Sequence, residues 1–153
     1  MTPVGQNPGA GSGDGGSGRR LELRIASDPV NLAPSRKAVE AFTIQCGLGE
    51  RAAQDVGLCL NEALANVMRH AYGGKNDRPI VITVECDPSG VLTMNVRDWG
   101  NGVNPSTVPR EPYNPNTPGG VGLICLNLLL DEIVYTPQPD GMLATLVKKK
   151  QPI

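Results

Sequence analysis

Apolar and polar residues begin to alternate at Arg19. In "RLELRIAS", Leu21, Leu23 and Ile25 are separated by Glu22 and Arg24, the period of a half-buried β-strand. The spacing then lengthens. In "NLAPSRKAVEAFTIQCGL", Val39, Phe42 and Cys46 recur at helical intervals, with Asp28 or Asn31 as the start, Pro34 near the first turn, and Gly47 and Gly49 as the stop. A second helix is predicted from about Glu50 to Tyr72, ended by Gly73 and Gly74. Two strand-like runs, "PIVITVEC" and "VLTMNVRD", flank "DPSG" and predict a hairpin. The stretch from Gly100 to Gly120 is rich in Pro, Asn and Gly, and a loop of that length in a small domain is usually functional or disordered. Beyond it, "VGLICLNLLLDE" predicts a short buried helix, and "EIVYTP" and "MLATLVKK" around "QPDG" predict a last hairpin. The order β, α, α, β, β, loop, α, β, β predicts an α+β fold, a two-layer sandwich with helices on one face of a mixed or antiparallel sheet.

The first 18 residues, "MTPVGQNPGAGSGDGGSG", hold almost nothing to bury and are expected to form a disordered Gly-rich tail, which leaves 19–153 as one domain. A hydrophobic content of 39% over 153 residues suffices for a real core. The chain's only aromatics are Phe42, Tyr72, Trp99, Tyr113 and Tyr135, so Leu, Val, Ile, Ala and Met must fill that core, and stacking on nucleic-acid bases has little support. A net charge of −1 gives no general electrostatic reason to bind DNA, RNA or an anionic membrane. The basic run "KKK", Lys148 to Lys150, reads as a solvated chain end. Cys46, Cys59, Cys86 and Cys125 lie far apart, with no C-x-x-C pair and one His in the chain. That argues against a zinc site and for buried free thiols in a reducing cytoplasm. The N-terminus has no apolar stretch resembling a signal peptide, and "VGLICLNLLL" is too short to span a bilayer. A cytoplasmic, membrane-free protein is therefore expected.

Three motifs carry candidate chemistry. In "LCLNEALANVMRHAYGG", Glu62, Asn66 and His70 recur every four residues. At about 100° per residue they share an arc of about 80°, apart from the arc of Val56, Leu60, Leu64, Val67 and Ala71 that would pack on the sheet. Such a trio is either an ordinary solvated flank or the lining of a site. Its composition favours a site, because solvated flanks carry Lys, Glu and Arg, whereas Asn is a poor residue for a helix interior. The second motif, "VRDWGNG", places Asp98 at a strand's end, where a carboxylate can point into a crevice, with Gly100 and Gly102 free to reverse the backbone or approach a ligand closely. A simple turn would use the same residues. In the third, "PGGVGLICL", Gly119, Gly120 and Gly122 precede or open a helix, an arrangement suited to phosphate but also to a flexible helix start.

Taken in order, E-x-x-x-N-x-x-x-H-A, D-x-G-x-G and G-G-x-G-L make the chain resemble the GHKL superfamily of ATP-binding domains, with the Bergerat fold, from about Leu21 onward. Within it, "NEALANVMRHAY" and "GGVGLICLNLLLDEIVY" resemble the stand-alone anti-sigma-factor serine/threonine kinases of bacteria. The resemblance implies ATP and Mg²⁺ as ligands. It implies that Asn66 holds Mg²⁺ against the phosphates, that Glu62 is the general base or water-positioning group, and that Asp98 accepts a hydrogen bond from the adenine amino group. Gly100 and Gly102 would give the base room, and Gly120, Gly122 and Leu123 would form the second glycine box at the phosphates. The loop from about Val103 to Pro118 would be the ATP lid, whose one basic residue is Arg110, so no cationic clamp for the γ-phosphate can be named. His70 matches a position typical of the subfamily and is read as structural. The implied function is an ATP-dependent protein serine/threonine kinase that sequesters an alternative sigma factor and phosphorylates an anti-anti-sigma (STAS-type) antagonist, with a homodimer as the family expectation. A nucleotide-gated protein-binding module without phosphoryl transfer is the alternative. A domain acting on a histidine of a separate protein has no support, since no dimerisation and phosphoacceptor helix pair precedes the motifs.

Overall fold

Alternation along the strands decides which face of the sheet meets the helices. In the computed structural model, which describes residues 5–7, 18–102, 104 and 122–150, the strands are β1 (Gly5–Asn7), β2 (Arg19–Ala26), β3 (Pro79–Cys86), β4 (Val91–Asp98), β5 (Glu132–Gln138) and β6 (Gly141–Lys149). They form one sheet in the order β1-β2-β3-β4-β6-β5, with every neighbouring pair antiparallel. Every second residue points to one buried face: Leu21, Leu23 and Ile25 on β2, Ile80, Ile82 and Val84 on β3, Leu92, Met94 and Val96 on β4, and Ala144 and Leu146 on β6. Against this face pack Val39 and Phe42 of α1 (Leu32–Gln45), Val56, Leu60 and Leu64 of α2 (Glu50–Asn66), and Leu126 of α3 (Gly122–Leu129). The result is the α+β two-layer sandwich expected from the sequence, with its sheet wholly antiparallel among the described residues.

Two helix boundaries differ in detail from the sequence reading. Asp28 and Asn31 both mark the first helix: Asp28 Oδ1 accepts from the Val30 N–H at 3.0 Å to cap a 3₁₀ turn, Pro29–Asn31, and α1 follows from Leu32. The second helix does not run to Tyr72 as an α-helix. It ends at Asn66 and continues as a π-turn, Val67–Ala71. Gly5–Asn7, inside the segment expected to be disordered, pairs with Glu22–Arg24; the rest of that segment up to residue 17 lies outside the described residues. Cys59 and Cys86 are buried and Cys46 is only partly so, and none of the three is in a disulfide. Burial and the neighbouring Cys86 push the Cys46 thiol up to about 12.

The basic run is a solvated end only in part: Lys149 and Lys150 are exposed, but Lys148 is buried. Lys148 and Lys149 belong to β6, and the period of two that turns Ala144 and Leu146 inward turns Lys148 inward too, to 7% exposure. Its ammonium donates to the Leu129 carbonyl at 2.6 Å, closing the C-terminus of α3, and lies 3.4 Å from Asp55 Oδ2 on α2. A cation at a helix C-terminus is favoured by both the unpaired carbonyls and the helix dipole. Lys148→Met keeps the alkyl stem and removes the charge, so it is expected to cost about 1–3 kcal/mol, read as a lower denaturation midpoint in urea, because Asp55 and the Leu129 carbonyl lose their partner. Among the described residues, no helix is long and apolar enough to cross a membrane.

Candidate functional site

Glu62 and Asn66 are not a solvated flank. They sit one turn apart on α2 with residue exposures of 6% and 8%, and among the described residues Glu62 Oε2 and Asn66 Nδ2 have no hydrogen-bond partner. A buried polar atom without a partner costs about 1–3 kcal/mol, so two of them on one helix face are a local cost that the described protein groups do not offset. Asn66 Oδ1 accepts from Arg69 Nη2 at 3.3 Å, so that oxygen already faces a cation. Burial raises the Glu62 carboxyl above its ordinary range, opposed by the Arg69 charge. His70 is half-buried, and its backbone carbonyl is the part engaged in the described contacts, accepting from Asn101.

Asp98 closes β4 at the position that follows Leu92, Met94 and Val96 on the buried face, and it is 3% exposed. Its Oδ1 accepts from the Gly100 N–H at 2.9 Å. Burial raises its carboxyl, while the N–H groups of Gly100 and Met142 and the Arg97 charge oppose the rise. Arg97 itself donates to the Asp98 carbonyl, pairs with Asp140, and lies 4.5 Å from the centroid of the Trp99 ring, a cation–π contact that holds the exposed indole beside the loop.

The two glycines after Asp98 have different reasons. A Cβ at Gly100 would lie 2.5 Å from the Ala71 carbonyl oxygen, so its close approach is to the end of the π-turn that follows α2, whereas the sequence suggests approach to a ligand. Gly102 takes φ +76, a left-handed conformation that reverses the chain. Gly122 and Leu123 open α3, which packs against α2. Gly120 and the lid region, Asn104 apart, lie outside the described residues. The structure thus brings the Glu62–Asn66 helix and the Asp98–Gly102 loop together at residues 70–72 and 99–101. Sequence reasoning passed over Tyr72 and Asn101, which make that junction, although both stand inside the quoted motifs.

A buried carboxylate at a strand end is thus joined to a helix that buries Glu62 and Asn66, on an antiparallel sheet backed by helices. The chain belongs to the histidine kinase-like ATPase domain family, whose pattern it matches over residues 25–148. It is similar to the anti-sigma F factor of Clostridium botulinum strain Eklund 17B, with 29% identity over 136 residues, covering 86% of this chain and 94% of the relative. It is also similar to the serine-protein kinase RsbW of Oceanobacillus iheyensis, at 22% identity over 131 residues, covering 80% of this chain and 82% of that protein. Among solved structures, the histidine kinase domain of the blue-light activated histidine kinase from Erythrobacter litoralis EL346 shares the fold, with a TM-score of 0.53 at 17% identity. That match covers 82% of this chain, which spans 62% of the solved one.

Proposed function

We propose that the protein is an ATP-dependent serine/threonine kinase acting as an anti-sigma factor, which sequesters an alternative sigma factor and phosphorylates an anti-anti-sigma antagonist. The observation that carries this reading is the pair of buried, unpartnered groups Glu62 Oε2 and Asn66 Nδ2 on the helix joined to the buried Asp98. The named relatives, an anti-sigma F factor and a serine-protein kinase, support the partners and the acceptor class. Family membership supports ATP as the phosphoryl donor.

Each residue has a task in this reading. The Asp98 carboxylate accepts a hydrogen bond from the adenine amino group, and Gly100 N–H holds that carboxylate in orientation. Asn66 Oδ1 is a hard amide oxygen of the type that ligates Mg²⁺, which would take the place of the Arg69 guanidinium from which it now accepts. When bound, that ion neutralises phosphate charge as the γ-phosphoryl group moves. Glu62 takes the proton of the acceptor hydroxyl as its oxygen bonds to the γ-phosphorus and the bond to ADP breaks. A carboxylate whose proton affinity is raised by burial is, when ionised, a better proton acceptor than an ordinary one. Gly120, Gly122 and Leu123 are assigned to the phosphates, with backbone N–H groups at the start of α3 as donors.

Incubation of the purified protein with Mg²⁺, γ-labelled ATP and candidate antagonist proteins tests the reading. Acid-stable label on serine or threonine of an antagonist is the expected result. ATP binding with no transfer to any antagonist would overturn the kinase assignment in favour of nucleotide-gated binding.

A further inference from the structure

The loop that carries Asp98 is held from both sides by groups outside the motifs' usual assignments. Where α2 widens into its π-turn, the Tyr72 N–H donates to the Val67 carbonyl at 3.0 Å, five residues back. Such a turn changes the helix register by one residue, and π-turns are frequent at functional sites. The carbonyls at its end, His70 and Ala71, are both taken by Asn101. Its side-chain Nδ2 donates to His70 O at 2.8 Å, and its backbone N–H donates to Ala71 O at 3.2 Å. On the other side, the Tyr72 hydroxyl accepts from the Trp99 N–H at 2.8 Å and donates to the Pro79 carbonyl at 2.5 Å, at the start of β3. Burial raises the Tyr72 phenol above its ordinary range, so it stays protonated and can donate.

A chain of dependence follows. The Asp98 carboxylate is oriented by the Gly100 N–H. Gly100 lies between Trp99, tied by Tyr72, and Asn101, tied to His70 and Ala71. Residues 70–72 continue the helix that carries Glu62 and Asn66. We infer that Tyr72 and Asn101 are positioning residues that set nucleotide specificity: they hold the Asp98 carboxylate in register with the Glu62–Asn66 helix, so that a purine with an exocyclic amino group is selected over one with a carbonyl there. This rests on the reading of Asp98 as the base acceptor.

The test compares ATP with ITP, which carries a carbonyl oxygen in place of the amino group, by calorimetric titration of three proteins. The parent should prefer ATP. Tyr72→Phe keeps the buried ring and removes one hydroxyl, leaving the Trp99 N–H and the Pro79 carbonyl without it. It is expected to lower ATP affinity by about ten-fold and to move ITP affinity little, so the preference collapses. Asn101→Ala, at an exposed position, removes the bond to His70 and keeps the backbone bond to Ala71, so it should reduce the preference by a smaller factor. A merely structural role would lower both affinities equally and leave the ratio at the parent value. That outcome in either folded variant overturns the inference alone. Equal binding of ATP and ITP by the parent overturns the Asp98 assignment, and the inference with it.

Discussion

Glu62→Ala should retain ATP affinity within a few-fold and lose phosphoryl transfer by roughly 10²–10⁴, the usual scale for a positioned general base. The reason is that ATP binding does not require a group aimed at the acceptor hydroxyl. Removing Glu62 also relieves a buried carboxylate that has an unpartnered oxygen, so folding should not suffer. The parent's transfer rate should fall as pH drops through the raised pKa of Glu62, because the protonated carboxyl cannot accept the hydroxyl proton. Asn66→Ala should behave differently, abolishing both transfer and the Mg²⁺ dependence of ATP binding. Single-turnover transfer to the antagonist, measured beside nucleotide titrations, separates the two. An unchanged transfer rate in Glu62→Ala would show that the carboxylate is not the base. If the pair were a solvated flank, neither change would matter beyond about half a kcal/mol of stability.

Asp98→Ala should weaken ATP binding by roughly ten- to a hundred-fold, since a hydrogen bond to a charged group contributes about 1.5–3 kcal/mol. The sign of the pH effect follows from burial. Asp98 holds its proton more tightly when folded than when unfolded. The stability it contributes is therefore full below the ordinary aspartate range and lost as pH rises through the raised folded value. ATP affinity runs the other way, being full where the carboxyl is ionised and falling as pH drops through that value. Asp98→Asn should thus raise the thermal midpoint of the ligand-free protein at neutral pH while lowering ATP affinity. Its amide oxygen can still accept from Gly100 N–H, leaving an amino group to face another amino group on adenine. A variant that binds ATP as the parent does would remove Asp98 from the base site.

The sequence made the sandwich legible wherever period carried the information. The alternation through "RLELRIA" and "PIVITVEC" survives as the buried face of β2 and β3. The three motifs singled out Glu62 and Asn66 because Glu and Asn recurring every four residues beside an apolar arc are unusual, and Asp98 because it ends a strand before glycines; that all three are buried could not be read from that spacing. The same rule, continued along β6, would have turned Lys148 inward; composition misled there, since a run of lysines at a chain end ordinarily belongs to solvent. The π-turn was not legible, because "VMRHA" has ordinary helical residues and only the backbone bond from the Tyr72 N–H to the Val67 carbonyl, five residues back, reveals it. Nor was the bond from the Trp99 N–H to the Tyr72 hydroxyl, which joins residues that alternation and motif spacing treat separately. The role of Gly100 was half legible: its need for close approach could be read, but the Ala71 backbone it approaches could not.

The most direct measurement is a calorimetric titration of the full chain with ATP in the presence of Mg²⁺, repeated with a chelator and with GTP. An ATP site built from Asn66 and Asp98 should give saturable one-to-one binding, strengthened by Mg²⁺ and much weaker for GTP, whose base offers a carbonyl where adenine offers an amino group. No saturable binding at millimolar ATP, or equal affinity for ATP and GTP, would contradict it.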